Sequence, residues 1–218
     1  MTRLPSRRIG FALAVAVCMM TSANSSSFAA TESAIFAGGC FWCVESDFDS
    51  VDGVIATTSG YTGGHLDNPT YKDVTRGRSG HYEAVKIDFN PDLVSYRELT
   101  DLFFRSVDPT DPGGQFCDRG DSYRTAIFAL DEQQQKIAES AKTDATESLG
   151  MPIVTPILNA STFFPAEERH QNYYAGDNRV LTRFGVIRQS EAYKRYRMAC
   201  RRDERVKMLW GNQAVFAH

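Results

Sequence analysis

Apolar and polar positions along the chain fall into short alternating runs, separated by turns rich in glycine and proline. The clearest run is "HYEAVKIDF", where Glu83, Val85, Ile87 and Phe89 share one face. Tyr82, Ala84, Lys86 and Asp88 share the other, and a period of two predicts a strand. Further strand patterns cover residues 33–37, 53–61, 122–130 and 152–158. Helical spacing covers 40–51, 95–105, 131–150 and 190–209. Ser95 with Glu98 forms a capping box, and Asp131 and Gly150 mark the two ends of the longest helix. "PAEERHQNYY" predicts one more helix, with Pro165 in its first turn. No internal repeat is present. Strands and helices mix without a strict βαβ rhythm, which predicts an α+β two-layer sandwich rather than a doubly wound sheet.

The amino terminus changes how the rest is read. Arg3, Arg7 and Arg8 precede an apolar run too short to span a bilayer, and the small-polar stretch "TSANSSSFAA" follows. This order predicts a cleaved export signal over residues 1–29, with cleavage after Ala29 or Ala30, leaving the mature protein in the periplasm or secreted. "SRRIGF" has a faint twin-arginine character, so the general secretory and twin-arginine routes both stay open. Residues 30–218 then form a single domain, with 190–218 as a carboxyl-terminal extension. A chain of 218 residues with net charge −3 suits one sizeable core. That balance points to no nucleic-acid partner and no stable membrane association.

Export removes Cys18 and leaves Cys40, Cys43, Cys117 and Cys200. In an oxidising compartment an even number suggests disulfides, although a domain of this size does not require them. Cys40 and Cys43 flank two large aromatics in "GGCFWCVE". At a helix start, the Cys40 thiol would meet the positive end of the dipole, and its pKa is expected to fall below about 8.5. Cys43, one turn on, is placed to attack a sulfenic acid or a mixed disulfide on Cys40. Phe41 and Trp42 either fill the core or wall a pocket around whatever Cys40 attacks. A zinc site would need a second ligand pair, which Cys117, Cys200 and the scattered histidines do not supply. No metal is expected.

Glu83 stands on the apolar face of the 81–89 strand. Such a carboxylate is either a strand-end residue reaching water or a desolvated acid that keeps its proton near neutral pH. His65, His81 and His170 read as structural, and "RRDER" as a solvated helix face.

These residues together resemble the A-type peptide-methionine (S)-S-oxide reductases. "GGCFWCVE" is similar to that family's signature, and "GYTGG", "NPTY", "GHYEAV", "DRGDSYRTAIF" and "HQNYY" continue the resemblance in family order. It implies an enzyme that reduces the S epimer of methionine sulfoxide, protein-bound or free, in a sandwich with a mixed, mostly antiparallel sheet and a ferredoxin-like plait core. By resemblance Cys40 is the nucleophile, Glu83 the acid that protonates the sulfoxide oxygen, and Tyr71 and Tyr123 the phenols that hold that oxygen. Asp118 is a supporting acid, and Phe41 and Trp42 form the pocket for the S-methyl group. Cys43, Cys117 and Cys200 all remain candidates for resolving the Cys40 sulfenic acid. No bound cofactor is implied. The expected reductant is thioredoxin or, after export, a thioredoxin-like periplasmic protein, and a monomer is expected.

Two other readings compete. One is a thioredoxin-like dithiol oxidoreductase using Cys40 and Cys43. The other is a secreted binding module in which Cys40–Cys43 and Cys117–Cys200 are inert staples.

Overall fold

The computed structural model describes residues 1–2 and 30–218. Residues 3–29, which carry most of the expected export signal, lie outside the described residues.

Alternation builds the centre of the sheet. Strand β1 (Glu32–Gly38) pairs antiparallel with β3 (Tyr82–Phe89), and β3 pairs antiparallel with β2 (Val54–Thr62). β6 (Thr125–Ala129) flanks the other side of β1, also antiparallel. Helix α1 (Phe41–Phe48) connects β1 to β2, and α3 (Tyr96–Phe104) lies between β3 and β6. The order β6-β1-β3-β2 is that of two interlocked split βαβ units, the ferredoxin-like plait. Short strands extend both edges. β7 (Ile157–Asn159) runs parallel to β6, and β8 (Phe164–Pro165) pairs with β2.

One sheet face carries Phe36, Val85, Ile87 and Phe89 against Val44 and Phe48 of α1 and Leu99 and Phe103 of α3. The same cluster takes in Ala138, Ala141 and Ala145 of α4 (Glu132–Leu149). On the other face, Ile35, Ala37, Ala84, Ala126 and Phe128 lie under the loop that bears Phe163. Helix ends behave as their residues dictate. Ser95 accepts from the Glu98 N–H while Glu98 reaches back to the Ser95 N–H. Asp131 caps α4, and Gly150 closes it in the left-handed conformation at φ 63°.

Several elements differ from the sequence reading. The 152–158 strand shrinks to β7, because Pro152 and Pro156 have no N–H to give a ladder. The 40–51 helix ends at Phe48. "PAEERHQNYY" is not a helix. Pro165 sits in β8, and two single 3₁₀ turns follow, at Glu168–His170 and Tyr173–Ala175. Three long-range hydrogen bonds hold it open. The Gln171 amide bonds both backbone groups of Ser59, and Asn172 turns left-handed at φ 51° to give its N–H to Glu45. The 190–209 helix is two, α5 (Gln189–Ala199) and α6 (Arg202–Trp210), broken at Arg201 with φ 56°. Elements with no counterpart in the sequence reading include the short α2 (Tyr71–Thr75), with its own Thr70–Asp73 capping box, and a hairpin of β9 (Arg179–Thr182) and β10 (Gly185–Arg188).

Candidate active site

The site forms where β1 turns into α1. Gly39, at φ 83°, makes that turn, and a Cβ there would stand 2.5 Å from the Gln115 Cβ, so only glycine fits. Cys40 occupies the N-cap position and makes no side-chain cap bond. The first free helical donor, the Phe41 N–H, donates to Glu83 Oε2 at 3.2 Å. The strand alternation therefore delivers Glu83 directly beneath the α1 amino terminus.

Glu83 is 1% exposed, and its second oxygen, Oε1, has no hydrogen-bond partner among the described residues. Burial pushes its pKa up to about 8, against the opposing Phe41 N–H; Asp118 and Cys43 raise it further and Tyr123 lowers it. Of the two sequence alternatives, the desolvated acid is the one present. Tyr71 and Tyr123 converge on the same place, since both phenols are pushed up by burial first and by the nearby Glu83 second.

Aromatic rings wall the space beside them. Phe41 stands 6.3 Å from Tyr71, 6.0 Å from Tyr61 and 6.2 Å from Trp42 between ring centroids. Trp42 stacks on Tyr173 at 3.8 Å and 8°. His170, read from sequence as structural, is buried against this wall, 4.4 Å from Tyr71 and 5.8 Å from Trp42. Tyr173 and Tyr196 also belong here and escaped the sequence reading. Tyr173 lies in "HQNYY", where an expected helix masked its approach to Trp42.

Asp118 lies at the rim on β5 (Asp118–Arg119), which pairs with β4 (Gly114–Gln115). Its Oδ1 accepts a short hydrogen bond from the Tyr196 hydroxyl. That hydroxyl also lies 3.8 Å from Cys117 Sγ. Burial raises the Asp118 carboxyl, against the Tyr196 bond and Arg202.

The four cysteines behave as two unlike pairs. Cys117 and Cys200 form a disulfide across a separation of 83 residues. Cys40 and Cys43 are free, buried thiols. Of the two bonds in the staple reading, the structure contains Cys117–Cys200 and not Cys40–Cys43. Cys117, Asp118 and Cys200 bring potential ligand atoms within 4.8 Å of one another, but the two sulfurs are bonded to each other rather than open to a metal.

The expectation of an acidic Cys40 thiol is overturned in this state. Its pKa is raised well above the ordinary value by the hydrogen bond with Cys43, by burial, and by the negative charge of Cys43, Glu83 and Asp118. The helix end cannot compensate, because the Phe41 N–H is committed to Glu83 and the Cys43 N–H to the Cys40 carbonyl at 3.0 Å. The basic face is corrected too. Arg202 of "RRDER" is 2% exposed, not solvated.

The family model described as "Peptide methionine sulfoxide reductase" matches residues 32–213. The chain is 52% identical over 181 residues to peptide methionine sulfoxide reductase MsrA 2 of Rhizobium meliloti, covering 83% of this chain and 84% of the other. It is 48% identical over 202 residues to MsrA 2 of Caulobacter vibrioides, covering 92% and 96%. Among solved structures, the reduced form of Mxr1 from Saccharomyces cerevisiae matches with a TM-score of 0.64 at 31% identity, covering 66% of this chain and 84% of that one. Methionine sulfoxide reductase A of Corynebacterium diphtheriae matches with a TM-score of 0.61 at 32% identity, covering 66% and 74%. The chain therefore belongs to the A-type peptide methionine sulfoxide reductases, thiol-dependent enzymes.

Proposed function

We propose that this chain reduces the S epimer of methionine sulfoxide with Cys40 as nucleophile and Glu83 as proton donor. One observation carries the reading: Glu83 keeps its proton near neutral pH while Oε1 has no partner among the described residues, directly beneath the turn that bears Cys40. The sulfoxide oxygen is a poor leaving group, and thiolate attack at sulfur needs that oxygen protonated as the bond forms. Glu83 donates that proton, Tyr71 and Tyr123 hold the oxygen, and Phe41 and Trp42 receive the methyl group. Asp118 supports the rim. Methionine leaves, and Cys40 becomes a sulfenic acid.

Cys43, its buried neighbour, resolves that sulfenic acid, releasing the oxygen at the level of water. The Cys40–Cys43 disulfide then exchanges with the Cys117 and Cys200 thiols, leaving these two joined. Cys117 is the exposed sulfur of the set, so a thioredoxin-like dithiol protein meets the enzyme there. With Cys117–Cys200 closed, Tyr196 is held at Asp118 and Cys40 is only 7% exposed. Reduction of that bond releases α5 and opens the site to the next sulfoxide.

Mass spectrometry of disulfides after one turnover tests the path. With an S-epimer sulfoxide peptide and fully reduced enzyme, one methionine and one new disulfide are expected. Consumption of the R epimer instead, or methionine release from Cys40→Ser, would overturn it. The amino-terminal pattern supports export of the enzyme to the periplasm, where cytosolic thioredoxin is out of reach. An intact mass beginning at Ala30 or Thr31 in the periplasmic fraction tests that, and an uncleaved chain retained in the cytosol refutes it.

A further inference from the structure

The Cys40–Cys43 pair rests on a buried charge cluster that the chemistry above does not use. Arg202 donates through Nη2 to the Ser106 carbonyl at 2.8 Å and through Nη1 to the Gly38 carbonyl at 3.3 Å. Its guanidinium carbon stands 4.8 Å from the centroid of the Phe116 ring. Asp47, one turn beyond Cys43 on α1, is 4% exposed and is shared between two arginines. Its Oδ1 lies 2.7 Å from Arg197 Nη1, whereas its Oδ2 lies 3.6 Å from Arg202 Nη2. Arg197 has a second carboxylate in Asp203 at 2.7 Å, its hydroxyl neighbour Tyr193 and the Phe216 carbonyl. Among the described residues the one carboxylate within ion-pair distance of Arg202 is Asp47, at its distant oxygen, and Nε has no hydrogen-bond partner.

A guanidinium removed from water needs a counter-charge, and here one buried carboxylate serves two of them. The buried Cys43 thiol lies in the chain between the two places where Arg202 meets this segment, the Gly38 carbonyl and Asp47, and with Asp118 it is an acid that feels the Arg202 charge. We propose that Arg202 is a positioning residue that selects Cys43 as the resolving sulfur, its under-compensated guanidinium holding Cys43 as the thiolate that attacks oxidised Cys40. This rests on the reading of Cys40 as the oxidised nucleophile.

The groups facing Cys43 support the sign. From α1 come Cys40 and Asp47, from α5 Tyr193, Tyr196 and Arg197, from α6 Arg202, and from β3 Glu83. The hydrogen bond with Cys40 lowers the Cys43 thiol most, burial opposes it, Arg202 and then Arg197 lower it, and Asp47 raises it. Both phenols are pushed up by burial and stay neutral. The two guanidiniums are the only cations in that set. In the step itself the Cys43 thiolate attacks the Cys40 sulfenic sulfur, the S–S bond forms, the S–O bond breaks, and hydroxide leaves to take a proton from solvent. Cys43 sulfur is oxidised and Cys40 sulfur reduced, with no outside electrons.

The test isolates Cys43 in a full chain carrying C18S and C40S with Cys117–Cys200 kept oxidised, so that one thiol titrates. Thiolate absorbance at about 240 nm reads its midpoint. R202M is expected to raise that midpoint by about one unit or more, R202K to restore most of it, and D47N to lower it. With Cys40 present, R202M should slow disulfide formation about tenfold more than methionine release, leaving a Cys40 sulfenic acid that dimedone traps. A midpoint unmoved in a cooperatively folded R202M, or raised in D47N, overturns the proposal. Should R202M fail to fold, D47N decides alone, because an unmoved or raised midpoint there is equally fatal. The titration uses no sulfoxide, so its failure is separate from failure of the catalytic reading.

Discussion

Two pairs of cysteines divide this molecule. Cys40 and Cys43 are three positions apart, buried and reduced, while Cys117 and Cys200 are 83 residues apart, bonded, and reach the surface through Cys117. The contrast follows from what each location allows. Attack on a sulfoxide gains from a dry aromatic enclosure, where a neutral carboxyl group and the phenols act without competition from water. The same enclosure shuts out a protein reductant. A disulfide at the rim has the opposite virtues: a dithiol protein can reach it, but nothing there would hold a methyl group or protonate an oxygen. In the proposed cycle, oxidation is handled inside and its consequence is carried outward.

The most severe way to break this comparison is to remove the inner nucleophile. Cys40→Ser should lose about 10³-fold or more of methionine formation from sulfoxide, measured as product release with saturating dithiol. Residual turnover near wild type would mean that the inner pair is not where the chemistry happens.

Next in size is Glu83→Gln. Loss of a positioned general acid should cost about 10²–10³-fold in turnover. The pH profile is the sharper reading. As the proposed acid Glu83 would work protonated, and burial pushes its pKa up to about 8, so wild-type activity should fall as pH rises through about 8, and that limb should vanish in the variant. An unchanged alkaline limb would assign it to another group.

The outer pair predicts a smaller, conditional effect. Cys117→Ser or Cys200→Ser should slow turnover roughly tenfold when a thioredoxin-like protein is the reductant, and much less with a small dithiol able to enter the enclosure. Equal losses with both reductants would remove the distinction between inside and outside.

Legibility in the sequence follows the same division. Glu83 could be read because strand alternation is local and periodic, and the sheet kept it: Val85, Ile87 and Phe89 are buried on the face that carries the acid. The Ser95–Glu98 and Asp131–Gly150 signals likewise act within one turn. The inner cysteines were visible because they share a helix start. The outer bond entered only by pairing off the cysteines that remained, since nothing near Cys117 or Cys200 encodes a contact across 83 residues. Tyr196 and Arg202 were hidden for the same reason. Both stand in a basic segment whose pattern suits solvent, yet the left-handed residue Arg201 turns α6 so that Arg202 points inward. The acidity expected for Cys40 failed differently. A dipole argument counts the N–H groups at a helix start, but here the Phe41 N–H is already committed to Glu83.

The gentlest test concerns stability rather than turnover, and it asks whether the inner site is as dry as the comparison requires. The Glu83 carboxyl group titrates near 8 when folded and near 4.3 when unfolded. Between these values the folded chain holds a proton that the unfolded chain has lost, so stability falls as pH rises through that window. Glu45, buried in α1 and pushed up to about 7 chiefly by burial, has the same sign, and it stays in place in Glu83→Gln. Subtracting the two proteins therefore isolates Glu83. Glutamine still accepts from the Phe41 N–H and cannot ionise, so Glu83→Gln should be more stable than the wild type at pH 8 by about 1–3 kcal/mol. That advantage should shrink toward zero at pH 4. Thermal melts at the two pH values measure it. A constant difference between the proteins would mean that water reaches Glu83 in the folded state and that its proton is not held by burial.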